Sequence, residues 1–391
     1  MWLRNFNYGL GAGAWRAMRI PTFALMFLLL AVIPVSSMES GSVSNEYRLL
    51  VSRQLLSLLH APEIQQELKL SKQQVVELET LFTEIDAFWF PSRIQSPDKQ
   101  FEIIESLEQK VHDWLDKHAT KQQQIRLRQI ELQSQSVRML LRNDLAAELK
   151  LDAKQQQRIA ELAKVTDEAR KLEQRAVSRG EAVEDLQKKV TESAKAEQDA
   201  VKKVLSSGQR QQLAGILGES FDLASLKRIY PMAPEFVPVD TWINSTPLTL
   251  KGLRGKVVLV HFYAFQCHNC HANFEIYRRW HAQLREKGVV VIGIQTPETA
   301  SECDSEAVKT AATERKLEFP ILLDLASENW KAWGNTMWPT VYVVDKNGYL
   351  RHWWQGELNW QGATADKTIE QVVEMALKEP YAAKYTSRGA D

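Results

Sequence analysis

Cys267-His268-Asn269-Cys270-His271 is the densest group of reactive side chains in this 391-residue sequence, and of the three cysteines only Cys303 lies outside it. Two thiols separated by two residues can close into a working disulfide, hold a metal or, with the histidine that follows, take a haem covalently. A dithiol needs one acidic sulfur and a second within its reach. The start of a helix supplies the first condition, because its free amides and partial positive charge lower a thiol from about 8.5 towards about 7. The three-residue spacing supplies the second, since it puts both sulfurs on one face of a helix. Cys267 is then the nucleophile. Cys270, one turn further in and less exposed, attacks the mixed disulfide, releases the reduced partner and leaves an intramolecular bond. The haem reading rests on Cys267-x-x-Cys270-His271, with only Met337 near an expected loop as a candidate distal ligand in this half of the chain. A zinc reading uses Cys267, Cys270 and His271 and needs a fourth ligand such as Cys303, whose placement the spacing does not fix. The position of the motif favours the dithiol, which requires neither metal nor organic cofactor. Cys303, in an expected loop, reads as an incidental free thiol.

That position is set by the elements around it. Val257-Val-Leu-Val260, His261 and Phe262-Tyr-Ala-Phe265 form an apolar run suited to a strand buried on both faces, and Val289–Ile294 is a second. A helix is expected over Asn273–Arg285, so the cysteines fall where strand passes into helix. Further helices are expected over Ser305–Lys316, Glu328–Trp333 and Asp366–Leu377, with a short strand at Ile321–Leu323. Thr340–Val344 and Tyr349–Trp354 flank Asp345-Lys-Asn-Gly348, whose Asn-Gly favours a tight hairpin. The order predicts an α/β domain with a mixed sheet flanked by helices.

The first half has a different character. From about Asn45 to Ile229 it is rich in Gln, Glu, Lys, Leu and Ala, with apolar residues three and four apart, and reads as all-helical. Ser71, Thr120, Asp152 and Ser206 each stand three residues before a Gln, the capping-box spacing that starts a helix. Glu67-Leu-Lys-Leu70 and Glu148-Leu-Lys-Leu151 repeat 81 residues apart, and Thr120 and Ser206 lie 86 apart. An internal duplication follows. Between Lys154 and Leu205 an Ala/Val stripe suggests two antiparallel, coiled-coil-like arms with a thin seam. The spacing resembles the LTxxQ segments of small periplasmic helical proteins of the Spy and CpxP type, and repeated capping accounts for the same pattern. The expected domains are a helical one over 39–229, a proline-rich linker over 230–240 and the α/β domain over 233–391.

Composition narrows the setting. With 49 basic and 49 acidic residues, no overall field recruits nucleic acid. Arg4, Arg16 and Arg19 precede an uncharged run from Ile20 to Met38, followed by no Lys or Arg until Arg48. Residues 1–38 therefore read as a signal peptide or an N-terminal membrane anchor, with the rest exported to the periplasm or held facing it. In an oxidising compartment an isolated Cys-x-x-Cys is working chemistry rather than scaffold.

Over about Ala233–Lys378 the chain resembles the thioredoxin-like superfamily, in particular TlpA-type exported thiol–disulfide oxidoreductases and the C-terminal domain of DipZ-type proteins. The resemblance is carried in order by Ala233-Pro-Glu-Phe236, Pro247–Val260, the Cys-x-x-Cys, Val291–Glu298 and Trp338-Pro-Thr-Val-Tyr342. It implies a cis peptide before Pro339, beside the cysteines, where the backbone of Trp338 pairs with an extended substrate segment. It also implies protein thiols and disulfides of the cell envelope as partners, with a membrane electron donor or acceptor. Two positions depart from the pattern. Gln266 replaces the Trp that commonly precedes the first cysteine, and His261 replaces a buried acid. His261 is thus a candidate general base for the Cys270 proton, with a core histidine as the alternative. His268, when protonated, would favour the neighbouring thiolate. The competing reading of the whole is a periplasmic scaffold or chaperone whose thioredoxin-like part only binds.

Overall fold

A computed structural model describes residues 47–179 and 184–381. The expected export segment lies outside these residues. Among those described, no helix is long and apolar enough to cross a membrane. The chain forms two compact units, one made of the residues up to Ser71 with Glu108–Lys227, the other of Lys72–Leu107 with the residues from Arg228 onward. The division thus differs from a single cut at the proline-rich segment, because the stretch 72–107 groups with the C-terminal domain.

The helices of the first half are α1 (Leu55–His60), α2 (Pro62–Glu67), α3 (Lys72–Trp89), α4 (Pro97–His118), α5 (Lys121–Ser134), α6 (Asn143–Glu148), α7 (Ala153–Arg179), α8 (Glu184–Val204) and α9 (Ser207–Leu217). A 3-10 turn over Ser136–Leu141 precedes α6. This turn, α6 and the start of α7 fall 81 residues after α1, α2 and the start of α3, so the duplication read from four-residue words extends to whole elements. The backbone repeats as well. Lys69 and Lys150 adopt φ of 52° and 51°. In each copy the lysine N–H bonds three residues back, to Gln66 or Ala147, and the next N–H five back, to Gln65 or Ala146. This is the left-handed turn that satisfies the last carbonyls of a helix.

Thr120 and Ser206 close capping boxes with Gln123 and Gln209, and Asp152 does so with Gln155. The glutamines also reach beyond their own helices. Gln155 donates to the side-chain oxygen of Gln209 at 2.9 Å, Gln209 returns the bond at 3.2 Å, and each also reaches a backbone carbonyl, of Val204 and Leu149. Arg138 ties the two long arms together, bonding Asp167 on α7 and Glu197 on α8. The core of this unit gathers Leu140, Leu141, Leu145, Ile159, Ala163 and Val201.

The second unit contains β1 (Trp242–Ile243), β2 (Val257–Tyr263), α10 (His268–Leu284), β3 (Val289–Gln295), α11 (Ser305–Glu314), β4 (Ile321–Leu323), α12 (Glu328–Ala332), β5 (Thr340–Val344), β6 (Leu350–Gln355) and α13 (Ala365–Lys378). The strands form one sheet in the order β1-β4-β3-β2-β5-β6. β2, β3 and β4 are parallel, and β1, β5 and β6 add antiparallel. This is the expected thioredoxin-like mixed sheet with flanking helices. β1, two residues at the sheet edge, was not expected, being too short to carry a period.

β2 is buried at every position, so both faces of the sheet need cover. On one face Val257, Leu259 and Tyr263 pack with Phe274, Tyr277 and Trp280 of α10 and Ile369 and Val373 of α13. On the other, Phe262 meets Trp333 and Tyr342. The turn between α3 and α4 joins that second face, with the Phe90 ring edge-on to Tyr342 at 5.8 Å and to Trp353 at 5.5 Å. An aromatic-rich sheet face that needs cover explains why residues 72–107 group with the C-terminal domain.

Left-handed backbone costs a non-glycine residue about 1–2 kcal/mol. Lys69→Gly and Lys150→Gly should each raise the unfolding free energy in urea by about 0.5–1 kcal/mol, after the larger unfolded-state entropy of glycine is counted. Destabilisation by either would contradict the duplicated helix ends.

Candidate active site

The site is built where β2 ends. After Tyr263 the chain turns, the Cys267 N–H bonding the Ala264 carbonyl at 3.2 Å, and Cys267 becomes the N-cap of α10. The helix begins five residues before the start expected from its apolar period, because its first turn is the motif itself. Cys267 and Cys270 are joined in a disulfide with Cα atoms 5.3 Å apart. Cys270 is fully buried, while Cys267 keeps 9% of its surface. Of the two, only the cysteine at the helix opening keeps any exposed surface.

Pro339 follows a cis peptide from Trp338. In the β2–β5 register Phe262 faces Thr340, and one further step sets Pro339 opposite Tyr263, at the end of the strand that delivers Cys267. Trp338 is half-buried against the core that includes both cysteines. Its ring packs on that of Trp330, with centroids 4.1 Å apart and planes tilted by 31°. Trp330 is fixed in turn by the buried Asp324, which accepts the N–H of Asn329 and of Trp330, each at 2.9 Å, and the hydroxyl of Thr296 at 3.1 Å. The carboxylate thus sets the start of α12 and, through it, the wall beside the cis peptide.

Glu302 is a site residue that the sequence reading passed over. It is fully buried and accepts the N–H of Gln266, the residue before Cys267, at 2.8 Å. It also accepts those of Glu298 and Thr299, at 2.6 and 2.8 Å. One carboxylate therefore pins the loop after β3 to the approach to Cys267. The available signal was Thr299-x-x-Glu302, a capping-box spacing that the structure closes. Gln266, exposed where relatives of the resembled family commonly have Trp, accepts a bond from the Thr299 hydroxyl at 2.9 Å.

Comparison with known proteins agrees with this geometry. Residues 231–353 match the model of the AhpC/TSA family. The chain is 36% identical to Protein DipZ of Mycobacterium bovis over 123 residues, which are 31% of this chain and 18% of DipZ. It is 30% identical to the thiol-disulfide oxidoreductase ResA of Bacillus thuringiensis over 125 residues, covering 32% of this chain and 68% of ResA. The chain belongs to the thioredoxin-like thiol–disulfide oxidoreductases. A solved thiol-disulfide isomerase from Corynebacterium glutamicum is also similar, at 24% identity and a TM-score of 0.34, covering 38% of this chain and 97% of that one. The nine helices α1–α9 lie outside the stretch matched by the family model.

Within this thioredoxin-like oxidoreductase the histidines separate. His268 is the first residue of α10 and exposed, beside Cys267. His271, the haem or zinc ligand of the rival readings, sets Nε2 2.6 Å from the Phe265 carbonyl oxygen, so its ring is tied back to the chain. Among the described residues no group of three or more His, Cys, Asp or Glu side chains is placed to hold a metal. Cys303 is exposed.

His261 is fully buried, stacked on Tyr277 at 4.0 Å and against Tyr263 and Phe319, with neither ring nitrogen hydrogen-bonded. Burial pushes its pKa down to about 3. Taking a proton from a thiol of ordinary pKa would then be uphill by about 7 kcal/mol. Of the two readings the sequence leaves open, general base and core histidine, these surroundings are those of the second, a ring stacked among aromatic side chains. Its folded pKa lies below the unfolded value, so its contribution to stability is complete above about 6.5 and is lost as pH falls towards about 3. Between pH 6 and 4 the oxidised protein should lose up to about 1.4 kcal/mol per pH unit through this residue. His261→Asn should flatten that slope in urea melts; an unaltered slope would contradict the buried neutral ring.

Proposed function

We propose that this chain exchanges disulfides with proteins of the cell envelope, Cys267 attacking and Cys270 resolving. The observation that carries the reading is the bonded pair at the opening of α10, its outer residue 9% exposed and its inner one fully buried. In the reducing direction the Cys267 thiolate attacks one sulfur of a client disulfide. The client bond breaks, a bond from Cys267 to the client forms, and the departing client sulfur takes a proton. Cys270 then gives up its proton to solvent and attacks the Cys267 sulfur, the mixed bond breaks, and the second client thiol leaves protonated. The client has gained two electrons and two protons, and the protein keeps the Cys267–Cys270 disulfide. Run in reverse, the same steps oxidise a client dithiol.

The protein's own parts have distinct tasks in this scheme. Amides at the start of α10 favour the attacking sulfur as thiolate, and His268, when protonated, adds positive charge beside it. An extended client segment pairs with the backbone at Trp338, against the wall made by the packed Trp330–Trp338 pair. The exchange uses no metal and no organic cofactor. The basic and apolar N-terminal segment supports a location outside the cytoplasm, in the periplasm or anchored facing it, where a membrane partner donates or accepts the electrons. The duplicated helical part supplies partner choice or reach.

In the test, wild-type protein should accelerate insulin reduction by dithiothreitol, and Cys267→Ala should abolish the acceleration. Cys270→Ser, unable to resolve, should accumulate mixed disulfides with envelope proteins that dithiothreitol releases. Insulin turnover that survives Cys267→Ala, or a Cys270→Ser chain that captures no more protein than Cys267→Ala does, would contradict the proposal and favour a module that only binds.

A further inference from the structure

The loop that carries Trp338 and Pro339 leaves α12 at Trp333 and enters β5 at Thr340. Its far end is held by the domain's own strands: the Gly356 N–H bonds the Pro339 carbonyl at 2.7 Å, and Gln355 donates to the Thr336 hydroxyl at 3.0 Å. Its near end is held from elsewhere. Arg93, on the 3-10 turn Pro91–Ile94 between α3 and α4, sends Nη2 to the carbonyls of Trp333 and Gly334 at 3.0 and 2.8 Å and to the Tyr342 hydroxyl at 3.1 Å. Tyr342 passes the contact on, donating to Oδ1 of Asn335 at 2.7 Å. Nη1 bonds the Phe90 carbonyl at 3.0 Å, and the guanidinium lies 3.7 Å from the centre of the Phe90 ring.

The fit is tight on both sides. Gly334 has φ +54°, and a Cβ there would stand 2.9 Å from Nη1 of Arg93 and 3.2 Å from the Pro91 Cα, so the loop gives up a side chain where the turn seats. Arg93 is only 8% exposed. A planar fork that keeps its charge is the side chain suited to gathering several acceptors at once. Arg93 also lies outside the residues 231–353 that match the family model. The contact therefore reaches the domain from outside the family-matched stretch.

We propose that Arg93 is a positioning residue for the substrate-binding loop. It fixes Trp333–Asn335, the stem of the segment that ends in Trp338 and cis-Pro339, and thereby makes the α3–α4 hairpin part of the client site. The inference rests on the disulfide-exchange reading for its functional consequence but not for its structural one. Removing Arg93 should loosen the client groove and leave the cysteine pair unchanged.

The test uses the full-length chain with Arg93→Lys and Arg93→Gln, and Tyr342→Phe as the milder change should those fail to fold. KM for insulin should rise about tenfold with kcat within about twofold, while the rate with 5,5′-dithiobis(2-nitrobenzoate), too small to need the groove, and the potential of the cysteine pair stay put. Amide hydrogen exchange over residues 335–340 of the oxidised protein should quicken, a readout independent of turnover. Unchanged KM and unchanged exchange would overturn the proposal. So would losses on both substrates that follow thermal stability alone, which is what a merely structural residue gives. Wild-type protein inert towards both substrates would sink the exchange reading, and the amide exchange would still decide whether Arg93 holds the loop.

Discussion

The structure turns on one junction. A strand buried on both sides stops at Tyr263, the chain turns over three residues, and the next, Cys267, caps a helix. Because the strand cannot slide without exposing apolar side chains, the start of α10 is fixed in space, and the sulfur at its N-cap with it. The rest of the domain holds that point. Glu302 grips the backbone one residue upstream, and the antiparallel β5 brings Pro339 up beside the same strand end. Chemistry at a helix opening depends on this rigidity, since amides stabilise an anion only if they are already aimed at it.

The same two-sided burial explains how the helical half enters. One face of the sheet is closed by α10 and α13, the partners expected of such a domain. The other carries Phe262, Trp333, Tyr342 and Trp353, and it receives Phe90 and Arg93 from the α3–α4 turn. A duplicated helical element has thus been used in one copy to finish a sheet. The contact lands on Trp333–Asn335, the stem of the loop that ends in Trp338 and Pro339.

Much of this was legible in the chain. Cys267 and Cys270 at a strand-to-helix passage, the tight Asp345–Gly348 hairpin and the repeated Glu-Leu-Lys-Leu words all have local causes, and local causes can be read from neighbouring residues. The cis peptide before Pro339 was readable only through family resemblance, because residue type alone leaves it improbable. Other features depend on residues far apart in sequence. Phe90 and Arg93 meet Tyr342 across some 250 positions, and nothing within the α3–α4 turn announces an aromatic partner. His261 occupies a position where an acid is common, which leaves a proton acceptor and a core histidine as alternatives in the sequence. Only the ring stack around it, with no polar partner, gives burial the deciding influence on its charge.

The most direct measurement is the ionisation of the Cys267 thiol in the reduced protein, followed by thiolate absorbance in the ultraviolet and by its alkylation rate against pH. The account predicts a pKa at least about one unit below the ordinary value near 8.5, with Cys270 titrating well above it. A Cys267 thiol that ionises at or above the value of free cysteine would contradict it.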